Sequence, residues 1–133
     1  MTQEEKQILI KVLCAGLPYE EKVEVCIKDK DIKSIDCVKY NTIGTYIGLL
    51  DEEKFSVKPY LRPMSSMTEK ERISFFKATN FHIALKPNGF FPLNNQCSGE
   101  HVIEALDWFN KHMFDYRGLI EKGLALEAPE GMY

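Results

Sequence analysis

The chain has 133 residues, 44% hydrophobic and 28% charged, enough for one domain that buries its own core without disulfides or metals. Its net charge of −3 lacks the positive excess that a phosphate-binding protein carries, which disfavours nucleic acid as a partner. Met1 is followed by Thr-Gln-Glu-Glu, with no basic n-region or apolar h-region, so no signal peptide is expected, and no run approaches the roughly 18 apolar residues that a membrane span needs. The expected compartment is a reducing cytosol, in which Cys14, Cys26, Cys37 and Cys97 stay thiols.

Thr2-x-x-Glu5 is a capping box that opens a helix over residues 3–15, with Ile8, Leu9, Val12 and Leu13 as its apolar stripe. Gly16 is the expected left-handed cap, with Pro18 just beyond it. From residue 20 to 58 the period changes to two. Val23, Val25 and Ile27 define a first strand, and Asp29-Lys30-Asp31 a turn. A second strand is predicted over 32–40, with a bulge near Val38. Ile43, Thr45, Ile47 and Leu49 alternate as a third strand, whose Gly44 and Gly48 leave room on the other face, most simply for a packed helix. Phe55 and Val57 make a short fourth strand. Together these read as a four-stranded antiparallel meander, with a small SH3-like barrel as the closed variant.

Residues 58–68, KPYLRPMSSMT, are the hinge of the chain, because Pro59 and Pro63 hold the backbone extended. Thr68-x-x-Glu71 opens a second capped helix that carries Ile73, Phe75 and Phe76 and ends near Thr79. A hairpin follows, 81–85 against 90–93, turning at Pro87-Asn88-Gly89, with Pro92 confining its second arm to an edge. Ser98 caps the longest helix, 99–113. Its expected buried stripe is Val102, Ala105, Leu106, Phe109 and Met113, beside a stripe of His101, Glu104, Trp108 and His112. Asp115 is placed to cap a short helix over 116–122, ended by Gly123. The fold expected is α+β in a single domain, 1–133: helix and sheet over 1–58, then a mainly helical half over 59–133 packed on the sheet.

No phosphate-binding loop, dinucleotide fingerprint, zinc-protease motif or nucleophile elbow appears. Cys97-x-x-x-His101 straddles a helix start, where the dipole favours a thiolate. With His82 it forms the alternative reading, a small enzyme or thiol/metal site. His101 and His112 stand three turns apart, roughly 16 Å by helical rise, and cannot share an ion. No catalytic set, metal or cofactor is therefore assigned. Tyr60 with Arg62, and Tyr116 with Arg117, place tyrosine and arginine beside apolar residues, the composition of protein-binding hot spots, and Trp108 joins them. The competing reading has these aromatics filling the seam between sheet and helices, with the arginines paired to Asp115 or Glu121. Oligomeric state is not legible.

The segments KPYLRPMSSMTEKE and DWFNKHMFDYRGLIEKGLALEAPEGMY resemble those of small uncharacterised proteins from phages, prophages and mobile elements of gut anaerobic bacteria. CAGLPYEEKVEV is similar to the stretch that opens the β region in that family, except that Glu20-Glu21 stand where the family has a glycine after the tyrosine. The resemblance implies a mobile-element source and a bacterial host cytosol as setting. Together with the acidic balance and the absence of a catalytic constellation, it leads to the expectation of a non-enzymatic accessory protein that binds a protein partner, either a host-defence component to be inhibited or another phage protein. It implies no reaction and no catalytic residue.

Overall fold

The computed structural model describes residues 1–86, 89–93 and 98–133, and its class is the expected α+β. Helix α1 (Gln3–Gly16) starts at the Thr2–Glu5 capping box, with both reciprocal bonds formed. It lays Leu9 and Leu13 on the sheet and buries both. Gly16 differs from expectation. Its φ is −81°, not left-handed, and one turn of 3-10 helix carries the chain on to Tyr19. Glu20 takes the left-handed conformation instead, at φ 59°.

Strands β1 (Lys22–Ile27) and β2 (Ile32–Cys37) form the expected hairpin, in unbroken register from Ile27↔Ile32 to Lys22↔Cys37. β2 therefore ends at Cys37, short of Tyr40, and carries no bulge. Val38 instead donates its N–H to Glu21 O and turns its side chain into the core.

The expected third strand is a helix, α2 (Ile43–Leu49). Ile43, Tyr46, Ile47 and Leu50 also fit a 3.6-residue period, and tertiary packing chooses between the two templates. Tyr46 is buried with Leu13, Val23, Val38 and Val57, and Ile43 and Leu50 lean on that group. Gly44 and Gly48 face open space, with nothing within 4 Å of a Cβ built at either, so they accommodate no packed helix.

β3 (Phe55–Leu61) is longer than expected and runs through Pro59 into the hinge. Pro59 pairs with Val23, and the next strand on its other side starts only at Tyr60, so its missing N–H leaves no ladder bond unmade. The sheet order is β2-β1-β3-β6, where β6 (Leu126–Glu127) lies parallel to β3. The sheet is thus neither a meander nor an SH3-like barrel. Helix α2 displaces the third strand, and the C-terminal segment supplies the fourth. The hydroxyl of Tyr133 closes the β1–β3 ladder, accepting from Lys22 N–H at 3.0 Å and donating to Tyr60 O at 2.8 Å.

Helix α3 (Glu69–Thr79) has the expected Thr68–Glu71 box and a left-handed Asn80 cap. Strands β4 (Ile83–Lys86) and β5 (Gly89–Pro92) make the expected hairpin; Pro87 and Asn88 of its turn lie outside the described residues. Helix α4 (Gly99–Lys111) is capped by Ser98, and His101 closes the box from the third position. Its buried face is rotated from the expected stripe toward Trp108: Ala105, Trp108 and Phe109 are buried, whereas Val102 and Leu106 are only half-buried. Residues 116–122 form successive turns rather than a helix. Asp115 still caps them, its buried carboxylate accepting from the N–H groups of Leu119 (2.8 Å) and Ile120 (2.9 Å).

Candidate functional site

Tyr60 and Trp108 are buried, 8% and 7% exposed. Tyr60 Oη donates to Glu24 Oε2 at 3.3 Å. Trp108 meets Phe75 edge-on at 5.1 Å, lies parallel to Phe114 at 5.8 Å and contacts His112 at 4.1 Å. Burial there holds His112 below the usual imidazole pKa. Arg62 is half-buried. Its guanidinium gives Glu71 two 2.7 Å bonds and lies 4.2 Å over the Phe114 ring. Glu71 is its partner, rather than Asp115 or Glu121; Arg62 and Asp115 meet through the backbone, Asp115 N–H to Arg62 O at 2.8 Å. Tyr116 packs on Phe109 and donates to Asn110 Oδ1 at 3.1 Å. Arg117 is exposed and lies 5.2 Å over the Tyr116 ring. The aromatics thus fill the seam between sheet and helices. Of the five nominated residues only Arg117 offers most of its side chain to a partner.

Cys97 lies outside the described residues. His101 accepts the Ser98 N–H on Nδ1 and stacks flat on Phe81 at 5.5 Å. His82 is exposed and contacts Phe76 at 4.4 Å. Each histidine thus has a local packing role. Among the described residues no three His, Cys, Asp or Glu side chains are grouped as metal ligands, and no helix is long and apolar enough to cross a membrane.

Two features were not found from sequence. The first is an open groove of about 360 Å³ between α3 and β4, floored by Phe75, Phe81 and Ile83. Ile73 and Phe76 share one face of α3, being three residues apart, and stay 50% and 38% exposed along it. Arg72, Lys77 and Glu69 rim it. The signal was present in Ile73-x-x-Phe76, but a helix stripe is first assigned to a core.

The second is Glu21, buried where α1, the sheet and the 115–117 turn meet. Among the described residues neither carboxyl oxygen has a hydrogen-bond partner. Burial raises its pKa to about 8, so the carboxyl is mostly protonated at neutral pH. It borders a cavity of about 20 Å³, room for one water molecule, lined also by Val12, Leu61 and Asn110. Gly16 is required here by close approach: a Cβ on it would stand 2.0 Å from Glu21 Oε2. Glu20-Glu21 reads in sequence as a solvated turn, and nothing in the local pattern marks its second residue as buried.

Comparison with protein-family models, curated proteins and solved structures gave no match to the chain.

Proposed function

We propose that this chain is a non-enzymatic accessory protein of a phage or mobile element that holds a partner protein in the groove between α3 and β4. The observation that carries the reading is the Ile73–Phe76 pair. Two large apolar side chains stand half in water beside an open apolar floor, and covering them is favourable by about 25 cal/mol per Å². An aromatic and a branched aliphatic side chain in a pocket are the usual anchors of a protein interface. The rim carries Arg72 and Lys77 against Glu69, a local positive balance on a chain of net charge −3. The matching occupant is an amphipathic segment whose apolar residues are flanked by Asp or Glu. The mobile-element setting rests on the resemblance of the 58–71 and 108–133 segments, and it makes a host-defence component or another phage protein the class of partner.

A photo-cross-linking residue placed at Lys77 on the rim identifies the occupant in the bacterial host, and binding is then measured with both proteins purified. Ile73→Asp and Phe76→Asp are expected to weaken that binding by about a hundredfold, and Arg117→Glu to leave it unchanged. Both groove variants replace exposed side chains, so thermal unfolding should confirm that the fold is retained. Full affinity in the groove variants, with loss in Arg117→Glu, would move the interface to the Tyr116–Arg117 surface.

A further inference from the structure

Among the described residues strand β2 is one edge of the sheet, and the register shows which of its backbone groups are unused there. Lys28 N–H donates to Lys54 O, and Val38 N–H to Glu21 O. Backbone bonds in an antiparallel pair alternate residue by residue. The pairs Ile27↔Ile32, Val25↔Ser34 and Val23↔Asp36 are therefore the bonded ones between β1 and β2. The N–H and C=O groups of Lys33, Ile35 and Cys37 point away from the sheet. A second observation concerns side chains: Ile32, Ile35 and Tyr40, all on or just beyond this strand, are 51%, 58% and 73% exposed. A strand edge with free backbone groups and exposed apolar side chains is a template for another strand.

We propose that a second copy of this chain pairs antiparallel with β2 about a two-fold axis through Ile35, joining the two four-stranded sheets into one. The occupant follows from the self-complementarity of the strand. Each bonded pair must bring together two residues whose backbones face outward, so the axis moves only in whole residues. Centred on Ile35, the pairing sets Ile35 against its own copy, Lys33 against Cys37, and Ser34 against Asp36. Just past the strand ends, exposed Asp31 meets exposed Lys39, twice by symmetry. Centred on Asp36, it sets Asp36 against Asp36 and Lys33 against Lys39. Centred on Ser34, it sets Ile32 against Asp36 and Lys33 against Ile35. Opposite charges and apolar pairs across a ladder stabilise it, and like charges directly opposite destabilise it. The Ile35 register alone has both favourable kinds of pair and no clash.

Sedimentation equilibrium of the purified chain tests this, with the wild type expected to dimerise. Ile35→Pro removes an N–H that β1 does not use, so the fold should persist by circular dichroism while the dimer is lost. Asp31→Lys alone and Lys39→Asp alone should each weaken self-association about tenfold or more. Mixed one to one, those two variants should form a heterodimer at least as tight as the wild-type dimer. The introduced lysine of one chain then meets the introduced aspartate of the other, and the unchanged Lys39 of the first meets the unchanged Asp31 of the second. This recovery does not depend on how well the proline variant folds. A wild-type chain that stays monomeric up to about 0.5 mM would overturn the proposal. So would a dimer indifferent to all three substitutions, whose interface would then lie elsewhere, as in the α3–β4 groove.

Discussion

Glu21 carries its carboxyl into the junction of α1, the sheet and the 115–117 turn, where desolvation disfavours the charged form. In the unfolded chain it ionises near its ordinary value of 4.5, and in the fold only near 8. Between those values the folded state binds the extra proton. Its contribution to stability is therefore complete below pH 4.5 and is lost as pH rises to about 8. Glu21→Gln keeps the shape and removes the titration. It should raise stability at pH 8 by a few kcal/mol, with little change at pH 4.5, as urea unfolding at the two values will show. An equal effect at both would mean that Glu21 titrates normally. Gly16 belongs to the same contact. Any side chain there drives the carboxyl out, a requirement of the fold that a reading of helix caps mistakes for a φ requirement.

Helix α2 shows how an element with weak local preference is decided from outside. Ile43, Gly44, Thr45, Ile47 and Gly48 are mediocre to poor helix formers, and their alternation matches a strand as well as their 3.6-residue spacing matches a helix. Burial of Tyr46 against the sheet selects the helix. The glycines then stand on the outer face with space for a methyl group and helical backbone. Gly44→Ala and Gly48→Ala should each stabilise by roughly 0.5–1 kcal/mol in thermal unfolding. Were the segment a strand under a packed helix, the same changes would destabilise. Helices α1, α3 and α4 were legible because Thr2, Thr68 and Ser98 announce them by side-chain bonds to amides three residues on, a code that needs no tertiary context.

Across the whole molecule, Arg62 joins the two halves. It follows β3, stacks on Phe114 just past α4, and grips Glu71 of the α3 capping box. Its two hydrogen bonds, with that from the Thr68 N–H, hold the Glu71 carboxyl at about 2. Because this pKa is depressed, the associated stability is present above the unfolded value of 4.5 and is lost as pH falls toward 2. Glu71 is about a quarter exposed, which reduces the size of this effect. Glu21 and Glu71 thus act in opposite directions, and the melting temperature should peak near pH 4.5–5. Arg62→Met should lower that peak and steepen no limb, since it removes the acid-sensitive pair. Glu21→Gln should move the peak toward neutrality. A pH profile that Glu21→Gln leaves unchanged would rule out the protonated Glu21.

By itself the chain determined what short-range chemistry can encode: the α+β class, three capped helices, the β1–β2 hairpin, the extended proline segment and the β4–β5 hairpin. Those rest on groups within a few residues of one another. Only the tertiary structure decided that Ile43–Leu49 is a helix, that Leu126–Glu127 completes the sheet, that Tyr60 and Trp108 are interior, and that Glu21 is buried while Ile73, Phe76 and Ile35 remain in water. The physical reason is that periodicity names the face an element buries but not the partner that covers it. Where apolar residues exceed the partners available, as on α3 and β2, the excess stays exposed, and both proposed interfaces are built from it.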